Sequence, residues 1–125
     1  KKKKKSLVFD SVNNKVVVCY KDNATNRGKA VVGTVSGTSI SFGSIATFTT
    51  NTANYINSAF DVNSGKVVIT YRDSSNSSYG TAVIGTVSGT SISFGSPVVF
   101  QSVSTLDPFP SYDSNAQKNS YLLSR

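Results

Sequence analysis

Twelve residues, GTVSGTSISFGS, occur twice without a change, at Gly33–Ser44 and again at Gly85–Ser96. The rest of the chain lines up on that duplication. Asp10 recurs as Asp61 after 51 residues, and Gly33 recurs as Gly85 after 52, so one extra residue falls in the loop holding Tyr79. Self-similarity at a period near 50 marks a repeat architecture, in which each unit buries its apolar faces against its neighbours. Residues 6–56 form a first repeat with an incomplete first strand, residues 57–108 a second, and residues 109–125 the start of a third.

Within a repeat the pattern is all-β. Ser6–Asp10 (SLVFD) and its copy Asn57–Asp61 end a first strand, a. Short turns rich in Asn and Gly lead to strand b, Lys15–Asp22 (KVVVCYKD) and Lys66–Asp73 (KVVITYRD). So short a connection implies an antiparallel hairpin. A polar loop precedes strand c, Gly28–Val35 and Gly80–Val87, and Ser36-Gly37 or Ser88-Gly89 turns it into strand d, Thr38–Phe48 and Thr90–Phe100. Gly43 and Gly95 inside d predict a bulge or a close backbone approach. Pro97, in the place of Ile45, marks d as an outer strand. In the third repeat Tyr112-Asp113 aligns with Phe60-Asp61, but NSYLLSR has lost the valine core of strand b.

The faces of strand b carry the architectural argument. Val67, Ile69 and Tyr71 share one face, and Val68, Thr70 and Arg72 the other; the first copy sets Val16, Val18 and Tyr20 against Val17, Cys19 and Lys21. Both faces begin apolar, whereas a sheet with one wet face alternates. Short antiparallel strands in fours, covered on both faces and repeated every 50 residues or so, fit β-propeller blades. Other repeat stacks or a sandwich are the alternative.

The pattern F-D-x(4)-K-V-V-x-x-Y-[KR]-D, then a polar loop, then G-x-A-V-[VI]-G-T-V-S-G-T-S-I-S-F-G-S, resembles the propeller-like tandem repeats of large phage structural or tail proteins and bacterial surface proteins. The resemblance covers Leu7 to about Lys118. It implies a non-enzymatic structural or recognition module of a virion fibre or cell-surface protein, extracellular, with a glycan as the ligand to expect. A non-catalytic segment of a larger propeller hydrolase and a purely architectural filament or shell subunit are the alternatives. The pattern is not the sialidase box S-x-D-x-G-x-T-W, since the chain has no Trp and the loop after Asp73 reads SSNSSYG. Two blades do not close a propeller, which takes about four to eight. The expected partners are therefore other copies of the chain or further blades of a longer one.

Composition narrows the chemistry. The net charge of +7 includes the five residues Lys1–Lys5; without them eight cations face six Asp. The lysines stand where Thr52–Ile56 stand in the second copy, so the run is either a tail or non-native sequence covering the start of a strand. No aromatics interleave them, and nucleic acid is not expected as a partner. No run of about 18 apolar residues exists to form a membrane-spanning helix. With no His, no Glu and one Cys, Ser-His-Asp and Cys-His catalysis and a zinc site are excluded within the chain, and no cofactor is expected. No EF-hand pattern offers a calcium loop. Cys19 is replaced by Thr70 in the second copy, as a small strand filler would be.

The best binding constellation is Tyr20-Lys21-Asp22 with its copy Tyr71-Arg72-Asp73. An aromatic face with a cation and a carboxylate can hold a sugar by stacking and hydrogen bonds. The structural reading of the same residues, which is preferred, has the Tyr packed between blades and the cation paired with Asp at the rim. The recurring Asp10, Asp22, Asp61, Asp73 and Asp113 read as turn formers. Tyr55 and Tyr79 each occur in one repeat alone, which frees them for a ligand.

Overall fold

The computed structural model describes residues 3–106, 108–113 and 118–122, with side chains described for residues 3–106 and 108. Residues 1–2, 107, 114–117 and 123–125 lie outside the described residues. The described residues are mostly strand, with no helix among them. The strands are β1 (Lys5–Asp10), β2 (Lys15–Lys21), β3 (Arg27–Ser36), β4 (Ser39–Phe42), β5 (Ala46–Asp61), β6 (Lys66–Asp73), β7 (Tyr79–Ser88), β8 (Ser91–Phe94), β9 (Val98–Ser104), β10 (Phe109–Asp113) and β11 (Lys118–Leu122).

The first nine strands make one antiparallel sheet, curled into a half-barrel, and β10 and β11 pair separately. Each repeat is a meander. β1, β2 and β3 pair in sequence; β4 and then the start of β5 both pair with β3. From Ala53 to Asp61 β5 pairs instead with β6, so one 16-residue strand closes the first repeat and opens the second. β6, β7, β8 and β9 then repeat the pattern. The d strand is thus not continuous. It breaks at residues 43–45 and again at 95–97, where Gly43 N and Gly95 N donate back to Val32 O and Ile84 O. Pro97 falls inside the second break.

Local chemistry explains the turns. Asp10 Oδ1 accepts from Val12 N (3.0 Å) and Asn13 N (2.9 Å), and Asp61 Oδ1 accepts from Asn63 N (3.1 Å). Such side-chain bonds replace the ladder where it ends. Between Ser36 and Ser39 the two-residue loop has φ of +60° at Gly37, and Gly89 repeats it at +59°. A positive φ at the first central residue fits a type II′ hairpin, whose twist matches the strands it joins.

The core forms where the first repeat faces the second across the curl. Val17 and Cys19 (β2), Ala30 and Val32 (β3) and Phe48 (β5) pack with Val67, Ile69 and Tyr71 (β6), Val83 and Val87 (β7) and Ile92 (β8). Phe48 is the keystone. Its ring centroid lies 5.4 Å from that of Tyr71 and 5.9 Å from that of Phe94, both tilted geometries that aromatic quadrupoles favour. The far end of its ring also lies against Gly28, where a Cβ would come within 2.3 Å of Cζ.

These walls are not equivalent surfaces. Val17 and Cys19 are the counterparts of Val68 and Thr70, whereas Val67, Ile69 and Tyr71 are the counterparts of Val16, Val18 and Tyr20. One face of the first repeat therefore packs on the opposite face of the second. Strand β1 joins the contact through a hydrogen bond between Ser6 Oγ and Ser58 Oγ (2.7 Å). Lys3 O accepts from Ile56 N (3.0 Å) and Lys4 O from Lys21 N (2.8 Å), so these lysines tie the approach to β1 to β5 and β2 through their backbone.

Candidate functional site

The passage of β5 from one repeat to the next is where polar chemistry concentrates. In the ladder with β6, Asn54 opposes Arg72 and Asn57 opposes Thr70, so two residues, Tyr55 and Ile56, stand against Tyr71 alone. This is a β-bulge, which bends its strand and re-aims side chains. Ile56 turns fully into the core and gives its N–H to Lys3. Tyr55 takes φ of +51°, in the left-handed region. For a bulky non-glycine residue this conformation stores strain of about 1–3 kcal/mol and singles out a site.

Around the bulge, Arg72 holds its guanidinium 6.0 Å from the centroid of the Tyr55 ring, at the outer limit of a cation–π contact. Its Nε is buried without a hydrogen-bond partner. Two buried asparagines tie the neighbourhood together. Asn54 accepts from Lys21 Nζ (3.0 Å) and donates to Ser74 Oγ (2.7 Å). Asn57 accepts from Lys3 Nζ and donates to Pro108 O (2.9 Å), a carbonyl that also accepts from Thr70 Oγ1 (3.0 Å). Sequence reading missed Asn54, Asn57 and Ser74. The available signal was NTANYIN itself, three asparagines inside a strand that has no such residues in the first copy.

The other candidate residues are placed separately. Tyr71 is buried in the core beside Phe48; burial pushes its phenol up to about 12, opposed by the nearby Thr49 hydroxyl and helped by the charge of Asp73. Asp73 is buried as well. Its Oδ1 accepts from Ser75 N (3.1 Å) and its Oδ2 from Asn51 Nδ2 (2.9 Å). In the first copy Tyr20 is half-buried on the outer face of β2, while Lys21, the next residue, reaches across to Asn54. Asp22 closes its own loop. Hydrogen bonds from Ala24 N (3.0 Å) and then Thr25 Oγ1 (2.9 Å), with Lys29 at 3.7 Å, hold its carboxyl below the usual range. Tyr79 opens β7 opposite Asp73, half-buried. The structure therefore joins Tyr55 with Arg72, and Lys21 with Asn54, at the repeat junction. It does not bring Tyr20, Asp22, Tyr71 and Tyr79 to the same point.

The arrangement offers a flat aromatic ring, an arginine with an unused buried donor, and amide groups. That is the chemistry of holding a hydroxyl- or carboxylate-bearing molecule. Comparison of the chain with protein-family models, with curated proteins and with solved structures returned no match.

Proposed function

We propose that this chain is a non-enzymatic structural and recognition module, built from propeller-like blades of four antiparallel strands and belonging to a virion fibre or cell-surface protein. One observation carries the reading: the two repeats pack by opposite faces. A unit whose front fits the back of the next is suited to serial stacking, as blades and solenoid repeats are. The sequence resemblance to phage and bacterial surface repeats points the same way.

The recognition half of the proposal rests on the Tyr55–Arg72 pair. Its ligand is an extracellular glycan carrying a carboxylate, stacked on Tyr55 and bonded by Arg72. The test is a glycan array on the full chain, followed by titration of any hit with the Arg72→Gln and Tyr55→Gly variants. Acidic sugars that bind the wild type and lose most of their affinity to Arg72→Gln are expected. Binding unchanged by both substitutions, or an array without hits, removes the recognition role and leaves the architectural one.

The architectural role is the second reading. It is favoured by the exposure of Val35, Ile40 and Phe42 on the outer face of the first repeat.

A further inference from the structure

The duplicated segment places identical residues in two environments. Val35 is 59% exposed, but its copy Val87 is 5% exposed; Ile40 is 48% exposed, but Ile92 is 6% exposed. Phe42 is 55% exposed, while Phe94 is half-buried against Phe48. Local sequence is the same, and so is local pairing, with Phe42 opposite Gly33 and Phe94 opposite Gly85. The difference lies in what covers them. Over the second copy sit Ala30, Val32 and Phe48 of the first repeat.

The covering surface has its own copy, which is uncovered at one end only: Val68, Thr70 and Ala82, the counterparts of Val17, Cys19 and Ala30, are buried, and the exposure lies at Ile84. The counterpart of Val32 is Ile84, fully buried in the first case and 42% exposed in the second. Gly43 fits against the tip of the β7–β8 hairpin, where a Cβ would come within 1.9 Å of Thr90 O, whereas a Cβ on its counterpart Gly95 would meet nothing. Each chain thus carries a front and a back that match each other, because the same two surfaces already meet once inside it.

We propose that the outer face of the first repeat, formed by Val35, Ile40 and Phe42, binds the Ile84 face of a second copy of this chain, head to tail. This inference rests on the stacking of the repeats and not on the glycan reading. In the joint, Thr38 at the tip of the β3–β4 hairpin of one copy approaches Gly95 of the other, as Thr90 approaches Gly43 within a chain. Pro108, which leads into the β10–β11 hairpin that aligns with the first hairpin of a repeat, holds part of the receiving face through its carbonyl. The β1–β2 hairpin of the arriving copy displaces it, so the association is weak and concentration-dependent. A front-to-back contact is heterologous and can propagate beyond a dimer.

The test is sedimentation velocity with light scattering on the full chain and three variants. Ile40→Asp blocks the front, and Ile84→Asp blocks the back; both lower the positive net charge, so a loss of assembly cannot be charge repulsion. Gly95→Ala blocks the back by a contact that exists only in the joint. The wild type is expected to rise with concentration from the 13.2 kDa of one chain to dimers and beyond. Each variant alone stays monomeric and still melts in one cooperative transition. An equimolar mixture of Ile40→Asp and Ile84→Asp forms 1:1 dimers and nothing larger, because one intact front and one intact back remain. A wild type that stays monomeric up to its solubility limit overturns the proposal. So does a dimer that Ile40→Asp abolishes and both back variants leave intact, since that is a front-to-front pair. Should Ile40→Asp fail to fold, Val35→Asp replaces it on the same face.

Discussion

Truncating Ile92 and Ile40 to alanine separates tertiary packing from everything local. The two residues sit in the same SISF strand, after the same II′ turn, beside the same glycine and phenylalanine. Strand propensity, turn chemistry and the unfolded state therefore cancel in the comparison. Ile92 is 6% exposed and Ile40 is 48% exposed. A buried isoleucine truncated to alanine loses about 2–5 kcal/mol, including the cavity left behind. A half-exposed one never gained more than about half of the ~1.5–3 kcal/mol of full burial, and its removal leaves no cavity. The expected losses are about 3 kcal/mol for Ile92→Ala and under about 1 kcal/mol for Ile40→Ala. At this chain length the gap corresponds to roughly 8 °C in Tm. Urea unfolding followed by far-UV circular dichroism reads it, at concentrations low enough that no second copy covers Ile40. Val87→Ala against Val35→Ala repeats the comparison with a smaller side chain. Losses equal to within about 0.5 kcal/mol for Ile92 and Ile40 would refute the opposite-face packing.

Three further predictions concern single side chains. Burial pushes the Cys19 thiol up to about 12, so a thiol reagent should label it in the native chain far more slowly than in urea-unfolded chain; equal rates would contradict its burial in the core. Gly28→Ala drives a Cβ to 2.3 Å from Phe48 Cζ and should destabilise by about 1–3 kcal/mol, whereas Gly95→Ala, with open space, should be neutral in a thermal melt of the monomer. Asp22 is held below its ordinary value of 3.8 mainly by Ala24 N and then Thr25. Its contribution is therefore complete above pH 3.8 and lost as the pH falls through the lowered folded value, so the stability gap between wild type and Asp22→Asn should shrink in acid; a gap that widens on acidification would contradict the sign.

Much of the fold is written in the duplication. Lys66–Asp73 is expected and observed as one strand, Lys15–Asp22 runs one residue past the end of β2, and Gly28–Val35 falls one residue short of β3 at each end. These strands have strong β-branched runs and sharp turn residues, both of which are local signals. The departures come where tertiary contact decides. The break at Gly43 depends on how closely Thr90 approaches, and its copy at Gly95 has no such neighbour although the residues around them are the same. The fusion of d and a into β5 is invisible because nothing in ATFTTNTANYI marks where pairing passes from β3 to β6. Tyr55 is the hardest case: a tyrosine carries no signal for positive φ, which here follows from the bulge that turns Ile56 into the core. At the site, the alternation of strand b already separated Tyr71 from Arg72. Which face met the other repeat could not be read, because both faces are apolar in both copies.

Ring-proton nuclear Overhauser effects from Phe48 test the account most directly. With opposite faces packed as described, Phe48 should show contacts to Phe94 and Tyr71, at centroid distances of 5.9 and 5.4 Å. Contacts from Phe48 to Phe42 and Tyr20 in their place, in a sample shown to be monomeric, would mean that the repeats do not stack front to back.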